Sequence, residues 1–233
     1  MKILLISDTE DSYLYDYYSP AALKGIDLIL SAGDLSPKYL EFLVTMVNVP
    51  LLYVRGNHDS IYDSQPPEGC ICVENEIYQC KGLRILGLGG SMRYHPGKNM
   101  YTEAQMRRRI FMLSAPLKIT GGFDILLTHA PARGYGDMED LPHKGFECFN
   151  TLMDTWHPSL MVFGHVHQEY GDFVREHRHP SGTRLINAYK RTIIEIPDPE
   201  KKSRTMPQSF YYSYMQRRRF KTKDDDSDPL IYK

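Results

Sequence analysis

Short apolar runs alternate with polar segments along the first part of the chain. Residues 2–6, 27–31 and 51–54 are predicted as buried strands, because each is a short apolar run that ends at polar or turn residues. Between the second and third runs, residues 35–47 carry apolar side chains at helical spacing. Strand, helix and strand in this order are typical of a right-handed βαβ unit. The pattern therefore predicts an α/β fold.

The rest of the body is predicted to add hairpins, helices and further strands. One hairpin turns at Lys81 and Gly82 within residues 71–88. A helix over residues 102–115 begins with Thr102 as its N-cap and Gln105 completing a capping box. The other predicted elements are a strand at 123–128, a helix at 145–155, a strand at 160–163, a hairpin with arms at 171–175 and 183–188, and a closing strand at 192–196.

Some charged side chains outside the strand ends are predicted to lie at the surface. The arginines at 107–109 are interpreted as a solvated helix face, and His143, His177 and His179 as surface residues. Residues 93–95 follow a glycine-rich turn and are the best candidates for a lid that faces substrate.

The composition bounds the class of protein. The chain has 233 residues, 24% of them charged and 42% hydrophobic, and a formal net charge of −1, which suits one globular α/β domain over residues 1–199. No apolar run approaches the roughly eighteen residues of a membrane span. The first apolar run is too short for a signal peptide, so we expect a cytoplasmic location and no membrane contact. The four cysteines lack paired zinc-site spacing and are expected to be reduced.

The charge is distributed unevenly between the body and the C-terminal segment. Residues 200–233 contain nine Lys or Arg against five Asp or Glu, which makes this Tyr-rich segment basic and leaves the body mildly acidic. We interpret the segment as a tail that is partly ordered or disordered. The acidic body gives no electrostatic footprint for nucleic acid.

Residues that can bind metal ions follow the predicted strand ends. Strand ends at one edge of an α/β sheet converge in space, so side chains scattered along the sequence would meet there. Carboxylate and amide oxygens mixed with imidazoles suit Mn²⁺, Fe or Zn²⁺ better than Ca²⁺. Taken singly, each residue also has a structural interpretation as a turn former, helix cap or strand-end histidine. The set is Asp8, Glu10, Asp34, Asn57, His58, His129, His165 and His167.

These motifs give the chain a resemblance to the calcineurin-like metallophosphoesterases, whose pattern runs D-x-H, G-D, G-N-H-D/E, H and G-H-x-H. Here the corresponding segments begin at Asp8, Gly33, Gly56, His129 and Gly164. The resemblance implies a four-layer α/β/β/α sandwich of two mixed sheets flanked by helices, with two divalent metal ions. Manganese is the favoured metal, with iron or zinc as alternatives.

The resemblance also implies a role for each matching residue. Asp34 would bridge the two ions. Asp8 and His167 would bind the first, while Asn57, His129 and His165 would bind the second. His58 would face the phosphate as the general acid or as a hydrogen-bond donor to the transition state, and Asp59 would hydrogen-bond and orient it. A hydroxide that bridges the metals would attack phosphorus directly.

One position departs from the family pattern. Glu10 stands where the family has the histidine of D-x-H. A carboxylate ligand would harden the first metal site and shift it toward Mn²⁺ or Mg²⁺, whereas a carboxylate that does not reach the ion would leave that site weak. We favour ligation, since a carboxylate beside Asp8 and Asp34 without a cation would be repelled.

Three functions follow as hypotheses. The first is a metal-dependent hydrolase of phosphomonoesters or phosphodiesters with a small-molecule substrate. The second is a catalytically silent scaffold of the same fold, like the retromer subunit that resembles these enzymes, acting through protein partners. The third and least favoured is a nucleic-acid phosphodiesterase aided by the basic tail. His58 argues for an enzyme, because a scaffold has no chemical need for it.

Overall fold

The computed structural model describes residues 1–171 and 173–198, so the predicted tail at 200–233 lies outside the described residues. In that part, the strands are β1 Lys2–Ser7, β2 Leu28–Ser31, β3 Leu51–Tyr53, β4 Ile71–Cys72, β5 Glu76–Cys80, β6 Leu83–Leu88, β7 Ser91–Met92, β8 Met100–Tyr101, β9 Ile125–Thr128, β10 Leu160–Phe163, β11 Glu176–Arg178, β12 Arg184–Asn187 and β13 Lys190–Glu195. The α-helices are α1 Pro37–Met46, α2 Glu103–Met112, α3 Ser114–Thr120 and α4 Glu147–Trp156.

The larger strands form two mixed sheets. The first has the order β13-β1-β2-β3-β4, in which only β13 is antiparallel to its neighbour. The second has the order β11-β12-β10-β9-β6-β5, with antiparallel pairs at its two edges and parallel strands between them. Strands inside such sheets are covered on both faces, which explains why they read as continuous apolar runs.

Alternate residues of each strand pack into different apolar layers. In β1, Ile3 and Leu5 face the core between the two sheets, whereas Leu4 and Ile6 pack toward α1. In the second sheet, Leu126 packs in the layer that contains residues of α2, α3 and α4. The period of two along a strand thus divides the side chains among three cores. The predicted four-layer α/β/β/α sandwich is confirmed.

The predicted helix over residues 102–115 is divided into two. Its capping box is confirmed, since Thr102 Oγ1 accepts from the Gln105 N–H at 3.2 Å and Gln105 Oε1 accepts from the Thr102 N–H at 2.9 Å. However, α2 ends at Met112 and α3 begins at Ser114. Pro116 explains the break, because a proline ring in a continuous helix would clash with the carbonyl four residues earlier, that of Met112.

One of the two predicted hairpins has a different first arm. The hairpin turning at Lys81 and Gly82 is confirmed by the antiparallel pairing of β5 with β6. In the other hairpin β12 pairs with β11 at residues 176–178, so the first arm lies C-terminal to the predicted one at 171–175. Arg175 instead donates hydrogen bonds to the carbonyls of Asn187 and Tyr189. Among the described residues, no helix is long and apolar enough to cross a membrane.

Candidate metal centre

Three candidate ligands lie where the backbone turns sharply after a strand. Asp8, Asp34 and His165 have φ angles of 66°, 57° and 69°, in the left-handed region. This conformation costs a residue with a side chain about 1–2 kcal/mol. The turns follow the ends of β1, β2 and β10; ligand atoms of Asp34 and His165 lie within 4.8 Å of each other, and the Asp8 carboxylate accepts the backbone N–H of His165.

Two glycines allow the loops to approach each other this closely. A Cβ atom on Gly56 would overlap the carboxylate of Asp34, and one on Gly164 would overlap Ser7 Oγ and the carboxylate of Asp8. The glycines of the G-N-H-D and G-H-x-H motifs are therefore required by contact between neighbouring loops.

The fully buried ring of His129 lies at the centre of the first ligand set. Its Nε2 is 2.9 Å from Asn57 Oδ1, 3.1 Å from His165 Nδ1 and 3.3 Å from Asp34 Oδ2. The ligand atoms of Asp34, His129 and His165 all lie within 4.8 Å of one another. Four side chains from four different loops thus converge as the strand-end pattern predicts.

Hydrogen bonds on the far sides of both rings select their tautomers. His129 Nδ1 donates to the Ala32 carbonyl at 2.8 Å, and His165 Nε2 donates to the Pro142 carbonyl at 2.7 Å. In the neutral rings, His129 Nε2 and His165 Nδ1 therefore present lone pairs, and they face each other together with Asn57 Oδ1 and Asp34 Oδ2. Four acceptors pointing at one another fit a divalent cation, and the outer carbonyls hold the rings as in protein metal sites.

The charges of Asp34 and His129 strongly shift the pKa values within this ligand set. Burial lowers the pKa of His129, but the charge of Asp34 and the hydrogen bond that its carboxylate accepts from the His129 ring raise that pKa to about 9. Burial raises the pKa of Asp34, while the His129 charge and hydrogen bonds from His129 and His58 lower it to about 2. Burial and the His129 charge lower the pKa of His165 to about 4. These groups thus shift one another's pKa at the point where a cation would fit.

A second set of potential ligands is centred on Asp8. The Asp8 carboxylate is buried, accepts the backbone N–H of His165 at 3.0 and 2.9 Å, and lies 3.5 Å from His167 Nε2. The ring of His167 stacks between Tyr170 and Tyr189, with centroids 4.8 and 5.0 Å away. The aromatic stack fixes the orientation of this imidazole.

Glu10 is separate from both ligand sets. Its side chain is exposed and forms no hydrogen bond or ion pair with the described residues. Ligation by Glu10 therefore stays a prediction.

His58 and Asp59 occupy different environments. His58 is exposed at the rim, and its backbone N–H donates to Asp34 Oδ1 at 2.8 Å. Asp59 is buried, and its Oδ2 accepts from the backbone N–H groups of Gly56 at 2.7 Å and Asp34 at 2.8 Å. Within the described residues it forms no hydrogen bond to the His58 ring, in contrast to the expected orienting role. Burial and the charge of Asp34 raise the pKa of Asp59 to about 7.

The structure places several residues differently from the sequence prediction. His143 is not a free surface residue, since its ring centroid lies 5.4 Å from that of His165 and 4.7 Å from that of Tyr170. His179 is buried against Ser181, so its surface prediction is wrong. The role of the Pro142 carbonyl could not be predicted from the sequence, because every residue type carries a backbone carbonyl.

Lys98, three residues after the predicted lid segment 93–95, contacts the loop after His58. Lys98 Nζ contacts Asp63 Oδ2 at 2.5 Å, and Asp63 also pairs with Arg55. Asp63 belongs to the short 3-10 helix that begins directly after His58. Arg93 and His95 are exposed. Their contact with substrate stays a prediction.

Comparison with known proteins gives a consistent result. The sequence profile of the calcineurin-like phosphoesterase superfamily domain matches residues 1–188, which include every predicted site residue. A UPF0046 protein of Caenorhabditis elegans is 28% identical over 152 residues, 58% of this chain and 50% of its own length. Human metallophosphoesterase domain-containing protein 1 is 22% identical over 210 residues, 73% of this chain and 61% of its own length. The chain thus spans about half to three fifths of these relatives.

A solved structure has a similar fold. The crystal structure of TT1561 of Thermus thermophilus aligns with a TM-score of 0.57 at 16% identity, over 81% of this chain and 88% of that chain. At this level of identity, the likeness shows the fold alone.

Proposed function

The chain belongs to the calcineurin-like phosphoesterase superfamily, and from this membership we propose that it is a metal-dependent hydrolase of phosphomonoesters or phosphodiesters. The observation that carries the proposal is the position of His129 Nε2, which lies within 3.3 Å of ligand atoms of Asn57, Asp34 and His165. We propose a small-molecule substrate, because the described residues form one sandwich and include no separate substrate-binding domain.

Two divalent ions, manganese by preference, are proposed as cofactors. Asp34, Asn57, His129 and His165 would hold one ion. Asp8 and His167 would hold the other together with Asp34, and Glu10 would complete its shell. Divalent ions in such a site supply Lewis-acid polarisation of the phosphoryl oxygens and of the attacking water.

The protein's own contribution is to hold these groups in place before substrate arrives. The Ala32 and Pro142 carbonyls fix the His129 and His165 tautomers. Asp34 Oδ1 accepts the backbone N–H of His58, which links the proposed bridging ligand to the proposed acid. His58 is exposed at the rim, where its imidazole can protonate the leaving oxygen of a bound ester.

The direct test is restoration of activity by metal. Protein stripped of metal with a chelator is assayed on p-nitrophenyl phosphate and bis-p-nitrophenyl phosphate with and without added Mn²⁺. We expect Mn²⁺-dependent hydrolysis in the wild type and its loss in His129→Ala. His157→Ala is the matched control, since His157 lies at the C-terminus of α4, away from the ligand set. Binding of Mn²⁺ without hydrolysis of either ester would instead favour the partner-binding scaffold.

A further inference from the structure

Arg109 is a largely shielded arginine, with its side chain 13% exposed, in a run of three that the sequence analysis interprets as a solvated face. Its guanidinium is directed into the protein and each nitrogen donates to a different residue: Nε to Asn75 Oδ1 at 2.8 Å, Nη1 to the Gly89 carbonyl at 2.7 Å and Nη2 to Glu74 Oε1 at 2.8 Å. The guanidinium carbon also lies 4.1 Å from the ring centroid of Tyr101. The surface prediction is therefore wrong for Arg109.

The partners of Arg109 enclose the backbone of Arg55. The Gly90 N–H donates to the Arg55 carbonyl at 2.7 Å, and a Cβ atom on Gly89 would overlap that same carbonyl. On the other side, burial raises the pKa of Glu74, while the charges of Arg109 and Arg55 and the backbone N–H of Arg55 oppose that rise. The segments of Gly89 and Glu74, both bound by Arg109, thus both interact with Arg55.

Arg55 immediately precedes the loop that carries Asn57 and His58. The residue between them, Gly56, packs against the Asp34 carboxylate and donates its N–H to Asp59, so a shift of the Arg55 backbone would also disturb these two contacts. A displacement of the Arg55 backbone would therefore pass along the chain to Asn57 and His58.

We propose that Arg109 is a positioning residue that holds the loop with Asn57 and His58 in register with the other ligand loops, a role that rests on the function proposed above. Its side chain is 13% exposed and that of Glu74 11% exposed. Burying such a pair is costly unless its hydrogen bonds are satisfied, and here all three guanidinium nitrogens are used. Lysine could not replace it, because an ammonium group cannot reproduce the planar three-way contact.

The first test measures the loop without relying on activity. Amide hydrogen exchange is followed by mass spectrometry in the metal-free full chain for the wild type, Arg109→Met and Arg108→Met. Arg108 is exposed and forms no ion pair or hydrogen bond within the described residues, which makes it a matched control. We expect exchange in residues 55–60 to rise about tenfold or more in Arg109→Met only, with peptides of β1 and β9 unchanged.

The second test separates positioning from general stability. Arg109→Met leaves the Glu74 charge buried without its partner, whereas the double variant Glu74→Gln, Arg109→Met removes both charges. Stability should recover at least partly in the double variant, but kcat on bis-p-nitrophenyl phosphate with Mn²⁺ should stay about 10- to 100-fold below wild type. Arg109→Lys should show the same deficit in kcat, while Arg108→Met retains wild-type kcat and KM.

The outcomes distinguish this proposal from the proposed function. Unchanged exchange in residues 55–60 of Arg109→Met, or recovery of kcat with stability in the double variant, would overturn the positioning role. If the wild type hydrolyses neither ester while the exchange difference persists, Arg109 positions the loop and the enzymatic function is wrong. If Arg109→Met does not fold, the double variant supplies the exchange measurement.

Discussion

The carboxylate of Asp59 accepts the backbone N–H of Asp34 at 2.8 Å, across 25 positions of sequence. The same oxygen accepts the N–H of Gly56 at 2.7 Å. One buried side chain thus joins the loop after β2 to the loop after β3. This link consists of protein atoms only, so it contributes to the folded state whether or not metal is bound.

Asp59→Ala is predicted to destabilise the metal-free protein. Two buried N–H groups would lose their acceptor, at about 1–3 kcal/mol each, so the free energy of unfolding should fall by roughly 2–5 kcal/mol. Asp59→Asn should lose less, because the amide oxygen can still accept. Urea unfolding followed by circular dichroism measures both changes. Asp63→Ala is the control, since its pairs with Arg55 and Lys98 are partly exposed and screened by solvent, so the loss of stability should be much smaller. Equal losses in the two alanine variants would contradict the prediction.

His58→Ala is predicted to reduce turnover while retaining metal. The side chain is exposed at the rim and only its backbone N–H contacts Asp34, so the ligand loops should be preserved. Loss of a general acid typically lowers kcat by about 10²–10⁴-fold. Steady-state kinetics and metal analysis of the same preparation test this, with the neighbouring exposed Ser60→Ala as control. A parallel loss of metal would argue against the assigned role.

Metal addition is predicted to stabilise the protein through the His129 ligand set. A ligand that binds only the folded state at a hundredfold excess over its Kd adds about 2.7 kcal/mol. Thermal unfolding of chelator-treated wild type should therefore shift upward with Mn²⁺. The shift should be much smaller in Asp34→Asn, which lacks one carboxylate of the cluster and the proposed bridge. A full shift in Asp34→Asn would show that the ion binds elsewhere.

Glu10 is predicted to set the preference between metals. Glu10→His would recreate the D-x-H pattern and should favour Zn²⁺ over Mn²⁺ relative to wild type, since imidazole suits the softer ion. Glu10→Ala should weaken the Asp8 site for both ions. Competition binding with Mn²⁺ and Zn²⁺ measures the ratio. The same ratio in wild type, Glu10→His and Glu10→Ala would show that this exposed side chain does not reach the metal.

Much of the fold is encoded in local pattern. The runs at β1, β2 and β3 are apolar because both faces of their sheet are covered, and the polar residue that follows each run marks the edge of that sheet. This is why the convergence of Asp34, Asn57, His129 and His165 could be predicted from residue types. The helix capped by Thr102 is predicted to end at residue 115, directly before Pro116, whereas in the structure the break falls at Leu113 and a second helix contains Pro116.

Other features depend on contacts that sequence does not reveal. Nothing in three successive arginines indicates that Arg109 alone pairs with Glu74, 35 positions earlier in the chain. The first arm of the second hairpin was misplaced because Phe173 and Val174 suggested a strand, although Val174 is 52% exposed. The Pro142 carbonyl is a main-chain group, so any residue at that position could supply it.

The left-handed turns at Asp8, Asp34 and His165 have a kinetic consequence. The strained conformation of these residues forms when the chain folds, so the ligands need little rearrangement when an ion binds. Exchange of one metal for another should then proceed at the rate of ion dissociation, without a slow phase of local refolding. The ion bound in a cell would accordingly be set at equilibrium, by the preference of the site together with the supply of available metals.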